Sequence, residues 1–216
     1  QARRARYRLI GDWARANGIG DIVLGHTADD QAETFLMGLA REAGLDGLSG
    51  MRRFWSEGGI RWARPYLATR RKDLRAYLGR HGIDWVEDPS NDDERFHRVK
   101  ARRVLAALAP LGISPEGLAV AASNLAMARS DLVQLAIQTA KSLARTSAGE
   151  VVFDLARWNR AGPDTRRRLL IAAMRWVSSA SYAPRADQIA RLEAAIQDGR
   201  DATLAGCKVR VRETEF

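Results

Sequence analysis

The sequence contains one cysteine, no long hydrophobic run and no recognisable secretion signal. Cys207 cannot form a disulfide within the chain, which favours a cytoplasmic protein. No apolar stretch approaches the roughly 18 residues that a membrane span needs. The basic start, QARRARYRL, also lacks the cleavage site of a signal peptide. These absences predict a cytoplasmic protein with no membrane partner.

The hydrophobic fraction of 46% excludes general disorder, and 216 residues suffice for two modest domains. The charge is strongly basic, with 35 lysines and arginines against 26 acids and a net charge of +9. Most of the basic residues are arginines, whose planar guanidinium donates two parallel hydrogen bonds to phosphate. A GC-rich genome would also enrich arginine, so composition favours a nucleic-acid partner without deciding it.

Helices and strands alternate in the first half of the chain, and helices dominate the second. The pattern predicts helices over 3–16, from the 26–30 turn to Gly44, and over 69–80, with strands at 22–24, 60–67 and 85–86. After Pro110–Pro115, predicted helices cover 115–146, 163–178 and 184–197, with short strands at 151–153 and 208–211. So few early strands cannot make an ordinary covered sheet. We therefore expect an α/β fold, with the C-terminal part of an open parallel-sheet domain at 1–111 and a mainly α-helical domain at 112–216.

The turn between the first strand and the second helix gathers His26, Asp29, Asp30 and Glu33. Helical spacing brings the three carboxylates to one end of the helix. Capping is one explanation, since Thr27-x-x-Asp30 fits a capping box and acids suit a helix N-terminus. Capping alone does not explain three acids and a histidine. The alternative is a site for a Mg²⁺-accompanied nucleotide or a cationic amine, at the strand end where ligands bind in open α/β folds.

Five blocks in order resemble tRNA(Ile)-lysidine synthetases, members of the PP-loop ATP-pyrophosphatase group. They are LGHTADDQAET at 24–34, REAGLDGL at 41–48, RPYL at 64–67, EDPSN at 87–91 and, upstream, QARRARY at 1–7. The resemblance is strong over 1–111 and weak over 116–216. It implies an adenine nucleotide alpha hydrolase-like PP-loop fold followed by a helical tRNA-binding domain.

The resemblance also implies a reaction. ATP adenylates the C2 oxygen of the wobble cytidine in tRNA(Ile) with a CAU anticodon, and the ε-amine of free L-lysine then displaces AMP. His26, Asp30, Glu33 and Arg98 would be catalytic, with Asp30 and Glu33 holding the lysine amino groups. Arg6, His26 and Asp29 would bind the nucleotide, and Asp29 would assist Mg²⁺. For Arg6 a solvated helix charge is the alternative, and for the 87–89 block a plain turn.

Two departures from the family pattern stand out. Thr27 occupies the place of a second histidine. The phosphate loop Ser-Gly-Gly-x-Asp-Ser is missing, and the nearest text, Ser56-Glu57-Gly58-Gly59, fits neither its pattern nor its position. We therefore expect the chain to be a piece of the enzyme that is inactive alone.

Basic segments suggest an RNA track. RFHRVKARR at 95–103 holds five basic residues and no acid, namely Arg95, Arg98, Lys100, Arg102 and Arg103. Residues 61–80 hold seven basic residues against one acid, and 157–175 hold six against one. Solubilising helix faces are the alternative. Trp55, Trp62 and Trp85 could stack on bases, although core packing is the better interpretation of single tryptophans.

Two other functions remain open at this point. A PP-loop tRNA thiolase uses the same ATP activation, but the lone Cys207 argues against paired catalytic cysteines. A non-catalytic tRNA-binding module would fit the missing loop, whereas the acidic cluster favours an enzyme. The oligomeric state stays open, because the exposed edge of a partial sheet allows either a homodimer or mobility near residues 20–26.

Overall fold

The computed structural model describes residues 2–87, 97–180 and 182–216. It divides into two compact units, Gln1–Arg129 and Ser130–Phe216. We expected the boundary at 111/112, where the helical region begins. The units divide later because the first half of the long helix Pro115–Leu143 contacts the first unit, through the ion pairs of Glu116 with Arg70 and of Arg129 with Asp46.

The first unit follows the predicted order of elements, with two additions. Its elements are α1 (Ala2–Ala16), β1 (Asp21–Val23), α2 (Ala28–Leu39), α3 (Leu45–Leu48), β2 (Phe54–Glu57), β3 (Ile60–Ala63), α4 (Arg71–Arg80), α5 (His97–Leu108), a 3-10 helix (Ala109–Leu111) and the start of α6 (Pro115–Leu143). The additions are α3, where we expected only a glycine loop, and β2. The strand predicted at Trp85-Val86 is wrong, since both residues lie in irregular backbone.

The three strands form one small mixed sheet in the order β1-β3-β2. β1 pairs in parallel with β3, with Ile22 opposite Trp62, whereas β2 is antiparallel to β3. The α/β class therefore holds for this unit, but among the described residues its sheet contains one parallel pair, so the predicted open parallel sheet is not confirmed. No strand was predicted at β2, where Gly58 and Gly59 form a tight turn with φ of 58° and 78° that folds β2 back on β3.

A small aromatic core fixes α1 against the sheet. Ala14, Ile60 and Trp62 are buried, with Tyr7 and Trp55 packed against them. Trp55 and Trp62 stack with ring centroids 5.6 Å apart. Tyr7, Ile10 and Ala14 recur at three- and four-residue spacing, so they share the face of α1 that packs on the sheet. Trp62 is thus a core residue, not a platform for bases.

The second unit confirms the mainly helical prediction. After the end of α6 come β4 (Ala144–Ser147), β5 (Glu150–Phe153), α7 (Leu155–Arg160), α8 (Pro163–Ser178), α9 (Ala186–Gln197), β6 (Ala202–Leu204) and β7 (Cys207–Val209). The strands form two antiparallel hairpins, β4–β5 and β6–β7. A core centred on the fully buried Trp158 joins α8, α9 and the hairpins, and it includes Cys207.

No single helix in the described residues has the length and apolarity to cross a membrane. The segments His97–Leu111 and Pro115–Leu143 reach that length and apolarity only when taken together, and the chain bends by 100° between them.

Candidate active site

The acidic cluster lies where β1 runs into α2, as the sequence predicted. Thr27 is the N-cap of α2, and both its backbone N–H and its hydroxyl donate to Oδ2 of Asp30 at 2.9 Å. The capping box is confirmed, and capping is what the structure assigns to the threonine that replaces the family's histidine. Burial would raise the pKa of Asp30, but the Thr27 hydrogen bonds and the charge of Arg71 bring that pKa below its ordinary value.

Two arginines at the start of α4 reach the same helix end. The Thr69 carbonyl accepts a hydrogen bond from the Ala28 N–H, which holds the segment before α4 against α2. Arg70 Nε donates to Oδ1 of Asp29 at 3.1 Å, and the Arg71 backbone N–H donates to Oδ2 at 2.7 Å. The Arg71 side chain also reaches Oδ1 of Asp30 at 3.3 Å. The sequence did not single out either arginine as a site residue.

Glu33, one turn further along α2, is fully buried and faces three arginines. Arg102 Nε donates to its Oε1 at 2.6 Å, and Arg71 Nη2 lies 3.9 Å from the same oxygen. Arg98 Nε lies 4.0 Å from Oε2, which accepts no hydrogen bond from the described residues. Burial raises the pKa of Glu33, and the Arg102 hydrogen bond only partly opposes that rise.

A cavity of about 490 Å³ opens beside Glu33 within the first unit. Its charged wall carries Asp29 and Glu33 together with Arg70, Arg71 and Arg102, and Leu105 and Ile113 belong to its apolar wall. Carboxylates attract an amine, arginines attract a carboxylate or phosphate, and the apolar wall suits a methylene chain. The cavity can therefore accommodate a small molecule that carries charges of both signs.

His26 is hydrogen-bonded to an arginine of the first unit. Arg64 Nε donates to its Nδ1 at 3.2 Å. Arg64 is buried and also donates to the Arg52 carbonyl at 2.7 Å and to the Tyr7 hydroxyl at 2.9 Å. Arg64 directly follows β3, the strand that pairs in parallel with β1. This position at a strand end could have marked Arg64 as a site residue, but it was predicted only as part of the RPYL block.

The remaining predicted residues lie on α5 and α1. Arg98 and Arg102, four residues apart on α5, face Glu33, whereas Lys100 and Arg103 are exposed on the same helix. Arg6 is exposed on α1. Arg95 and residues 88–91 of the EDPSN block lie outside the described residues.

The fit of Asp29 to a Mg²⁺ ion is poor. Both of its oxygens accept hydrogen bonds, and the Arg70 guanidinium beside it repels a cation. Across residues 2–87, 97–180 and 182–216, no group of three His, Cys, Asp or Glu side chains is arranged to hold a metal ion.

Comparison with known proteins places this sequence in a family. Residues 1–108 match the model of the PP-loop domain. A tRNA(Ile)-lysidine synthase of Ruegeria pomeroyi is 42% identical over 97% of this chain and 50% of its own length. Those of Novosphingobium aromaticivorans and Hyphomonas neptunium are 38% and 35% identical, over 96% and 99% of this chain and 63% and 59% of their own lengths.

The chain thus spans between about half and two thirds of the length of these relatives. The matches confirm the resemblance that the five sequence blocks indicated, and they extend it over the second unit, where the motifs were weak. By the match over its first half, this chain belongs to the PP-loop domain family.

Proposed function

We propose that this chain is part of an ATP-dependent ligase that joins lysine to the wobble cytidine of tRNA(Ile) with a CAU anticodon. Its membership of the PP-loop domain family implies ATP use, and its relatives are named for this tRNA modification. The observation that carries the proposal is the buried Glu33, ringed by arginines beside Asp29 and Asp30 at the end of β1. Such a mixed-charge cluster suits an amine nucleophile and an adenylated substrate in one place.

In this proposal the cavity beside Glu33 receives free L-lysine. The carboxylates take its amino groups, and the arginines take its carboxylate. Asp29 and Glu33 line the cavity. Asp30 is linked to this wall by Arg71, whose side chain donates a hydrogen bond to Asp30 and lies 3.9 Å from Glu33. The attacking ε-amine must be neutral, so it needs a group that accepts its proton. Glu33 suits this task, because burial raises its pKa above the ordinary carboxylate value and so makes it a better proton acceptor.

The nucleotide is the second ligand. AMP is transferred to the C2 oxygen of cytidine with release of pyrophosphate, and the amine then forms the C–N bond as AMP leaves. His26 and Arg6 are proposed as nucleotide contacts, with Arg98 beside the adenylate. Mg²⁺ enters only as the ion that accompanies the ATP phosphates, with no ligand assigned from this chain.

The RNA contacts are proposed for α5 and the second unit. Lys100 and Arg103 are exposed on α5 next to the cluster, as a phosphate track requires. We assign residues 1–111 to the catalytic domain and 112–216 to tRNA binding, in the cytoplasm, and we expect the 216-residue chain alone to be inactive. A homodimer stays one of the assemblies to be tested.

The test is incorporation of labelled lysine into a tRNA(Ile) transcript by the full-length protein and by Glu33→Gln. The matched control is Glu42→Gln, which changes an exposed acid just beyond the same helix. We expect the Glu33 variant to lose at least about a hundredfold in rate, as for loss of a general base, and the control to retain activity. Sulfur transfer instead of lysine incorporation, or tRNA binding without turnover, would replace this proposal.

A further inference from the structure

Trp85 is an exposed tryptophan in the segment after α4. It is 44% exposed, whereas Trp55 and Trp62 pack in the aromatic core that holds α1 against the sheet. Its neighbours Ile83 and Val86 are also exposed. A cluster of exposed apolar side chains often marks a surface that binds another molecule. Of the three tryptophans considered for base stacking, Trp85 is therefore the one whose ring a ligand can reach.

The indole ring of Trp85 is held in one orientation. Its Nε1–H donates to Oε1 of Glu87 at 2.9 Å. Arg75 of α4 donates to Oε2 of the same carboxylate at 2.7 Å, and its guanidinium lies 5.9 Å from the centre of the Trp85 ring. The ring is thus fixed by its own N–H and bordered by a cation that also balances the Glu87 charge. A ring that is already fixed loses little side-chain entropy when a base stacks on it.

The Trp85 ring lies near the candidate active site. Arg71 donates to Asp30 and lies 3.9 Å from Glu33, and Arg75 follows it by four residues on α4. Residues four apart share one face of a helix, with their Cβ atoms about 5–6 Å apart. Stacked nucleotides follow one another at about 3.4 Å, and unstacked ones are further apart. A base that neighbours one held beside Arg71 is therefore within reach of Trp85.

The charge of α4 suits an RNA ligand at this ring. The helix has one acid, Asp73, against four basic residues, namely Arg71, Lys72, Arg75 and Arg80. Proteins bind single-stranded RNA by stacking its unpaired bases on exposed aromatic rings, beside cations that attract its phosphates. An exposed, fixed indole next to a basic helix has both parts of such a site.

We propose that Trp85 stacks on a base next to the wobble cytidine in the anticodon loop, and that Arg75 and Glu87 position its ring. The inference rests on the proposed function for the identity of the RNA. The contact would hold the loop while the cytidine enters the active site. Every base has a face that can stack, so Trp85 contributes affinity and placement rather than a choice between bases.

The test combines protein and RNA variants in one binding cycle. The full-length protein is titrated, without ATP or lysine, with the intact anticodon stem-loop of tRNA(Ile) and with two abasic loops, each lacking one base beside the wobble cytidine. We expect Trp85→Leu to weaken binding of the intact loop about tenfold, as for loss of one stacked base. On one of the abasic loops the same substitution should cost less than about twofold, because the stacked base is already absent. Equal losses on all three loops, or no loss on the intact loop, would overturn the proposal.

Two further variants separate stacking from folding. Trp85→Phe keeps an aromatic face, so we expect it to bind the intact loop within about threefold of the unaltered protein. An affinity as low as that of Trp85→Leu would contradict stacking. The matched control is Trp176→Leu, which changes a tryptophan of α8 that is 56% exposed. Its effect should be the same on all three loops, because it has no base beside the wobble cytidine to lose.

Failure of this inference differs from failure of the proposed function. If the unaltered protein ligates no lysine while the cycle couples Trp85 to one base, the proposed function fails and the stacking contact stands. If lysine is ligated and Trp85→Leu costs the same on every loop, the stacking contact alone is refuted.

Discussion

Arg102 Nε lies 2.6 Å from Oε1 of Glu33, and this contact joins α5 to α2 across 69 residues of sequence. Glu33 has no exposed surface, so Arg102 supplies the hydrogen bond that water would otherwise provide. The same pair borders the cavity proposed for lysine. The stability of the first unit and the proposed lysine site therefore both involve this pair.

Removing one member of this pair should be far more damaging than removing both. We expect Arg102→Met to lower the free energy of unfolding by about 3 kcal/mol, because it leaves a buried carboxylate without its main partner. The double variant with Glu33→Gln should recover part of that loss. Urea denaturation measures both, with Lys100→Met, on the exposed side of α5, as the control expected to change stability by less than about 0.5 kcal/mol. Equal losses in the single and double variants would contradict the pairing.

Glu33 should also give stability a distinctive pH dependence. Its pKa is raised above the ordinary 4.5, so the folded state binds its proton more tightly than the unfolded chain does. This contribution is fully present below the ordinary value and is lost as pH rises through the folded-state pKa. We expect Glu33→Gln to flatten stability over that window in urea melts at a series of pH values. A parallel shift at every pH would contradict the raised pKa.

Asp30 should behave in the opposite way. Its pKa is lowered, so its contribution is present above the ordinary value of 3.8 and is lost as pH falls through the folded-state pKa. We expect Asp30→Ala to cost about 1 kcal/mol near neutral pH, as for other capping residues, and less in acid. Asp73→Ala is the control, because Asp73 is the third residue of α4 but is exposed. Equal effects of the two substitutions would argue against the capping bond.

Gly50 is expected to tolerate no side chain. Its φ is +64°, and an added Cβ would lie 2.7 Å from Gln31 Oε1, the atom that accepts the Met51 N–H at 2.7 Å. Gly50→Ala should therefore cost backbone strain of about 1–2 kcal/mol together with a weakened hydrogen bond. Gly18→Ala is the matched control, since its φ is +66° and its surroundings are open. Equal melting temperatures for the two variants would contradict the crowding.

Exposed arginine on α5 should contribute to RNA affinity through phosphate contact. We expect Arg103→Gln to weaken tRNA binding and to reduce the log–log salt slope by about 0.7–0.9. Filter binding at several salt concentrations measures this, with Arg8→Gln, which changes an exposed arginine of α1, as control. An unchanged slope would mean that α5 is a solvated face.

Prediction from sequence succeeded where neighbours along the chain decide the structure. The capping of α2 by Thr27 and Asp30 and the helices Pro163–Ser178 and Ala186–Gln197 follow from local spacing. It failed at Trp85-Val86, which lie in irregular backbone, and at β2, where no strand was predicted before the Gly58-Gly59 turn.

By itself, the sequence determined that His26 and three acids gather at one strand end, because residues three and four apart on a helix share a face. Tertiary structure alone decided what surrounds them. Arg70 contacts Asp29 across 41 residues of sequence, and Arg64 contacts His26 across 38. The helical or strand period of a segment does not predict contacts between residues so far apart in the sequence. The packing of α4 and α5 on α2 buries Glu33 and brings the arginines to it. That packing decides which charged side chains are removed from solvent.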